Sequence, residues 1–321
     1  MKFQVMAMTL LTALLVACGS NQIEQPEESS LLNVVTTVSP ITSIVENIGG
    51  KRILVRGIVP EGTNSHTFDP PPSTARVLAD ADLFIANGLY LEEPAIEMFN
   101  ANHGDGARAV LLGELAIAPE EWQFDFSFPE ANGQPNPHLW PDPILALKYA
   151  GIVRDALTTS DPNGAAYYGA NYEEFRLRIE ALDAAIKTAV ATVPEVQRRL
   201  LTYHDSWAYF ARRYGFEVLG AVQPADFTEP SPRDMADLIV QVRDLGVPAI
   251  FGSEVFPSPV MEQIAAESGA VFIDQLADDD LPGDPGDAGH SYLGLMTKNM
   301  VTMVHALGGD ASALGAVDFS L

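Results

Sequence analysis

The sequence predicts an α/β fold: two βα lobes, parallel sheets flanked by helices, joined by a single long central helix. Three observations predict it. Tyr168, Tyr172, Phe175, Ile179, Leu182, Ile186, Ala189 and Val193 recur at alternating steps of four and three, which is the spacing of one helix face. On either side of this stretch lie segments in which short β-branched runs alternate with helical periods. The chain has 321 residues, 47% of them hydrophobic, enough for two domains that each bury a core.

In chain order, residues 1–17 read as a signal segment. Lys2 is a short basic region, Val5 to Ala17 is apolar but too short to span a bilayer, and Leu15-Val16-Ala17 precede Cys18. Cys18 is the sole cysteine, so an intrachain disulfide is excluded. Residues 18–31 are rich in Gln, Glu, Asn and Ser and read as a flexible tether. The N-terminal lobe spans 32–160. Its strands are expected at Leu32–Val38, Ile53–Val59, Leu83–Ala86 and Ala109–Leu112, with helices at Pro40–Ile48 and Thr74–Ala81. Glu114 to Pro137 shows no period and reads as an irregular loop. Asp142 is the expected N-cap, with Pro143 at the first position, of a helix through Leu157.

The linking helix is expected over 161–193, with Asp161 as N-cap and Pro194 as stop. The C-terminal lobe spans 194–321. Strands are expected at Arg199–Tyr203, Phe216–Val222, Val247–Phe251 and Ala270–Ile273. Helices are expected from a cap at Asp205 through Tyr214, at Asp234–Leu245, through Ser268, and from Ser291 to Leu307. An acidic Gly/Pro-rich loop, Asp278 to Gly289, precedes the last helix.

Acidic residues outnumber basic ones 43 to 18, a formal net charge of −25. Such a surface argues against nucleic acid, whose phosphates need Lys and Arg, and favours cationic partners. Of six histidines, His66 falls in the loop after the second strand, His138 just before a helix, and His204 at a strand end. Asp274 ends the last strand. In open parallel sheets, ligands bind beyond the carboxyl ends of the strands. Imidazoles and a carboxylate that converge there can hold a metal ion. Spacing alone leaves that convergence open, since no local metal motif has such long gaps. His103, His290 and His305 read as surface or helix-terminal residues.

The small residues before Cys18, "NSHTFDPPPS", "NPHLWPDP", "TYHDSWAYFARRYGF", "TEPSP" and "GHSYLGLMTKNM" occur in this order. Together they resemble the solute-binding lipoproteins of bacterial zinc and manganese ABC importers. The resemblance implies a metal held between the lobes by His66, His138, His204 and Asp274, two ligands from each lobe. It implies Zn²⁺ as cargo, alternatively Mn²⁺, an ABC permease and its ATPase as partners, and a monomer. It further implies lipidation at Cys18, which would anchor the protein extracytoplasmically to the membrane. His204 stands where many manganese-binding members have Glu, and the 114–137 segment lacks the His-rich loop of many zinc-binding members. Three imidazoles and one carboxylate suit Zn²⁺ better than a harder ion. Four protein ligands close the sphere, whereas a hydrolytic zinc keeps a position for water, so no enzyme activity is expected. A secreted zinc hydrolase and an adhesin, as some family members are described, are the alternatives. Glu229 and Glu254 are candidate acceptors for ligand N–H groups. Free imidazole titrates near roughly 6.5, so affinity is expected to fall below that pH. The long helix predicts limited lobe movement, with rearrangement confined to the loop near Asp274.

Overall fold

The computed structural model describes residues 31–223, 228, 230–253, 255, 259–274 and 276–317. Cys18, the tether, Glu229 and Glu254 lie outside the described residues. Each half of the chain forms a four-stranded parallel sheet. In the first lobe β1 (Leu32–Thr36), β2 (Ile53–Gly57), β3 (Leu83–Ala86) and β4 (Arg108–Leu111) run in the order β2-β1-β3-β4. In the second, β5 (Arg199–Thr202), β6 (Glu217–Ala221), β7 (Ala249–Phe251) and β8 (Val271–Ile273) run in the order β6-β5-β7-β8. The order is the same in both. The chain turns back over its first strand, so each sheet has a switch point beside β1 or β5, where a crevice opens at the carboxyl ends.

Helices α1 (Ser39–Gly49), α2 (Thr74–Ala79), α3 (Glu93–Asn102), α4 (Leu112–Ala116) and α5 (Pro143–Ser160) belong to the first lobe. Helices α7 (Ala208–Tyr214), α8 (Pro232–Leu245), α9 (Pro259–Ser268) and α10 (Tyr292–Ala306) follow the spine α6 (Ala165–Thr192). Asp142 caps α5 as expected, accepting from Ile144 N at 2.9 Å. Asp161 accepts from Gly164 N, and a 3-10 turn, Pro162–Gly164, opens the spine. The 28 residues of α6 rise roughly 42 Å.

The periodic face of α6 is the core. Tyr168, Ile179, Leu182 and Ile186 are fully buried, and one continuous apolar cluster runs through them. It begins at Val34, Ile44 and Leu83 in the first lobe and ends at Leu200, Phe251 and Met300 in the second. Truncating such a side chain to Ala costs about 2–5 kcal/mol. The lobes are also tied by polar contacts. Tyr214 Oη holds the second lobe to the spine, donating to Asp183 Oδ1 at 2.9 Å, while Arg213 pairs with Asp142 and Tyr292 N donates to Ser43 Oγ at 3.0 Å between the lobes. No described helix is long and apolar enough to cross a membrane.

Several local expectations differ from the structure: the fourth strand ends at Leu111, and Leu112–Ala116 forms α4 where a strand end and the start of an irregular loop were expected. Glu93–Asn102, to which the sequence pattern assigns no element, forms α3, started by Pro94 in its first turn. Asp205 does not cap α7, whose N-cap is Trp207 without a side-chain bond. The Asp205 carboxylate instead accepts from Ser127 N at 2.8 Å, in the irregular loop of the other lobe.

Candidate metal centre

His66, His138 and His204 come together between the lobes although 72 and 66 residues separate them in sequence. His66 lies in a 3-10 turn, Ser65–Thr67, whose N-cap Asn64 accepts from His66 N at 2.9 Å. His138 follows the same device: Asn136 Oδ1 accepts from His138 N at 3.0 Å. Such short Asx turns fix the backbone one step before each histidine. His204 sits two residues past β5, and Thr202 Oγ1 donates to its carbonyl at 2.7 Å. His138 and His204 are 0% and 1% exposed, and His66 is half-buried, so access is from the His66 side. Phe128 packs against His66 and His138, with ring centroids 5.5 and 5.8 Å apart, and Trp140 lies 5.1 Å from His138. These aromatic rings keep bulk water from the imidazoles.

His66 Nε2 lies 3.1 Å from His138 Nε2 and 3.0 Å from His204 Nε2. Nitrogens on a tetrahedral ion at about 2.0 Å stand about 3.3 Å apart, close to this spacing. The opposite ring nitrogens are engaged elsewhere. His138 Nδ1 lies 2.8 Å from Asn136 Oδ1, and His204 Nδ1 lies 2.9 Å from Asp278 Oδ2. Both partners are acceptors, so both Nδ1 atoms carry hydrogen. The Nε2 atoms then present lone pairs toward one point when the rings are neutral. Three converging nitrogen lone pairs fit a borderline-soft cation.

Asp274 is not part of this cluster. It is exposed at the end of β8, and neither group of close metal-ligating atoms among the described residues includes it. The acids that arrive at His204 are Asp278 and Asp279, 3% and 2% exposed. Asp278 is committed to His204 and to the Ser206 hydroxyl, while its carbonyl accepts from Trp140 Nε1 at 2.7 Å. Asp279 Oδ2 accepts from Ser65 Oγ at 2.7 Å, next to His66. The sequence signal was present. Asn64 and Asn136 each stand two residues before a histidine, and Asp278–Asp280 form an acidic run.

His290 Nε2 lies 3.7 Å from Glu61 Oε1 and belongs to neither close group. His103 is exposed, stacked on Phe99. His305 is an exposed residue in the last turn of α10.

Burial holds the His66 and His138 imidazoles well below their usual range, and the charge on His204 adds to this. Burial also pushes His204 down, but the Asp278 carboxylate on its Nδ1, with Asp279 and Asp205 nearby, outweighs it and raises His204 to about 9. When His204 is charged, its second hydrogen is on Nε2 and faces the point where the three nitrogens converge.

Residues 34–306 match the family model described as "ZnuA: Zinc-uptake complex component A periplasmic". The manganese-binding lipoprotein MntA of Halalkalibacterium halodurans is 30% identical over 305 residues, covering 95% of this chain and 97% of that protein. Among solved structures, the periplasmic zinc binding protein TroA from Treponema pallidum superposes with a TM-score of 0.78 at 28% identity, covering 86% of this chain and 99% of that one. A manganese-bound periplasmic metal binding protein from Candidatus Liberibacter asiaticus gives 0.73 at 26% identity, with the same coverage. With most of its length matched by that model, the chain belongs to the family of periplasmic zinc-uptake component A.

Proposed function

We propose that this chain captures Zn²⁺ with the Nε2 atoms of His66, His138 and His204 and the carboxylate of Asp279, and delivers it to an ABC permease. As a member of its family it is an extracytoplasmic metal-binding protein of an importer and not an enzyme. The observation that carries the ligand set is the pair of Nε2 contacts, 3.1 and 3.0 Å, that joins imidazoles from both lobes. Zinc is favoured over manganese because three nitrogens and a single carboxylate suit the softer ion, and zinc stands above manganese in affinity for such donors. Asp279 is favoured over Asp274 because it is buried against Ser65 and His204, whereas Asp274 faces solvent.

Release follows from the construction. The acidic segment after β8 reaches across the cleft to the loop that carries His66. Ser39 Oγ donates to Asp279 O at 3.1 Å, and Gly62 N donates to Asp280 Oδ2 at 2.6 Å. Movement of this segment opens the site without bending the spine, and Gly283 and Gly286, both at positive φ, allow it. Lipidation at Cys18 would hold the protein beside the permease and its ATPase, as a monomer.

The test is metal content of protein purified without chelator, followed by competition of zinc against manganese for wild type, Asp279→Ala and Asp274→Ala. Zinc is expected to win. Asp279→Ala should weaken zinc at least tenfold, and Asp274→Ala should bind as wild type. Loss of binding in Asp274→Ala alone would return the fourth position to that residue, and preference for manganese would reverse the cargo.

A further inference from the structure

We propose that Asn136 is the positioning residue that fixes the ring of His138 and couples it to the second lobe. This deepens the metal-site reading above and rests on it. Asn136 is fully buried, and its side chain spends every polar direction. Oδ1 accepts from His138 N at 3.0 Å and faces His138 Nδ1 at 2.8 Å. Nδ2 donates to Asp125 Oδ2 at 2.9 Å and to the carbonyl of Asp205 at 2.7 Å.

These four partners settle which way the amide points. A flipped amide would turn its NH₂ toward the His138 backbone N–H. It would also turn its oxygen toward a carboxylate and a carbonyl. With Oδ1 held toward His138, the ring nitrogen that faces it must be the donor. The hydrogen of neutral His138 therefore sits on Nδ1, and Nε2 keeps its lone pair for the point shared with His66 and His204.

The backbone around Asn136 is held as firmly. Asn136 N donates to Gln123 O at 2.9 Å, and Tyr209 Oη of α7 donates to Asn136 O at 3.1 Å. Asn87 Nδ2 donates to Pro137 O at 2.9 Å. Asn64 makes the corresponding turn before His66, and among the described residues its Oδ1 accepts from the His66 backbone N–H. Asn136 therefore does two things that a turn cap does not. It selects a tautomer, and through the Asp205 carbonyl it joins a ligand of the first lobe to the residue next to His204.

The test uses the mature full-length chain, metal-free, as wild type, Asn136→Ala and Asn136→Asp. Long-range ¹H–¹⁵N NMR of the imidazoles reads the tautomer of His138, and zinc titration reads affinity. Wild type is expected to show the Nδ1–H form alone. Asn136→Ala should release the ring to a mixture containing the Nε2–H form and lose about 10–100-fold in zinc affinity. Asn136→Asp keeps an acceptor toward the ring and should keep the Nδ1–H form. An Nε2–H His138 in wild type overturns the proposal with no variant needed, as does a folded Asn136→Ala with unchanged tautomer and affinity. A wild type that binds no zinc, but whose His138 tautomer still depends on Asn136, would sink the metal reading and leave the positioning role standing.

Discussion

The two lobes share a strand order, yet they hold their imidazoles with different chemistry. In the first, His138 is held by a neutral amide, Asn136, and His66 by a loop turned at Asn64. In the second, His204 is held at a strand end by a carboxylate, Asp278. An amide acceptor fixes the ring without favouring its charge. A buried carboxylate fixes it and also stabilises the imidazolium. Burial, with His204 and His66 beside it, holds His138 low, whereas at His204 the Asp278 carboxylate outweighs burial and raises it to about 9. The first lobe offers ready donors. The second offers a donor that must give up a proton, and that becomes more basic toward a metal for the same reason. What differs between the halves is the charge of one supporting side chain, not the fold.

The largest test removes the ligands themselves. His138→Ala or His66→Ala should lower zinc affinity by orders of magnitude by calorimetric competition, with an unchanged circular dichroism spectrum. His103→Ala and His305→Ala should bind as wild type, because both are exposed and belong to neither close group among the described residues. Equal loss in His103→Ala would remove the basis for assigning the site to these lobes.

The next test converts one lobe to the manner of the other. Asp278→Asn keeps an acceptor for His204 Nδ1 but removes the charge. Zinc affinity at high pH should drop about 10–100-fold, the usual cost of losing such a partner. The drop should shrink at lower pH, where wild type spends part of its affinity displacing the His204 proton. A uniform loss at every pH would show that Asp278 acts only by shape.

A smaller effect is the pH dependence of the wild type. Because His204 is raised to about 9, its charged form prevails at neutral pH, and in the proposed site its second hydrogen faces the metal position. Lowering pH keeps that proton in place and weakens binding. Raising it through about 9 removes the competitor. Log affinity should climb about one unit per pH unit between about 7 and 9, climb more steeply below about 7, where burial raises the Asp279 carboxyl and a second proton competes, and level above about 9. His66 and His138, already held low, add little over this range. In Asp278→Asn the levelling point should move down toward the range of free imidazole, which completes the comparison.

Much of this was legible in the sequence, and the exceptions are physical. The spine was readable because Tyr168 through Val193 keep one period over a long stretch, and Asp161 and Pro194 mark its ends. The caps at Asp142 and Asp161 were readable because each precedes a proline at a helix start. Helix α3 was missed because Glu93–Asn102 is short and weakly amphipathic, with only Ala95 and Phe99 buried. The role of Asp205 was missed because an acid before a helix reads as a cap. Its real partner, Ser127, is 78 residues away in a loop without period. Three histidines could be named from their motifs. That Asp278 and Asp279, rather than Asp274, come beside His204 could not be read from the sequence, because their position is set by contacts with the other lobe. Asp279 reaches Ser65, and Asp280 reaches Gly62, only once both lobes are folded.

The central claim is that imidazoles from both lobes meet on one ion. X-ray absorption at the zinc edge of the loaded protein tests it most directly. The account predicts four light-atom neighbours at about 2.0–2.1 Å, with outer-shell scattering from three imidazole rings. In His138→Ala the imidazole contribution should fall by one ring. A wild-type spectrum with fewer than three imidazoles, or one unchanged in that variant, would contradict it.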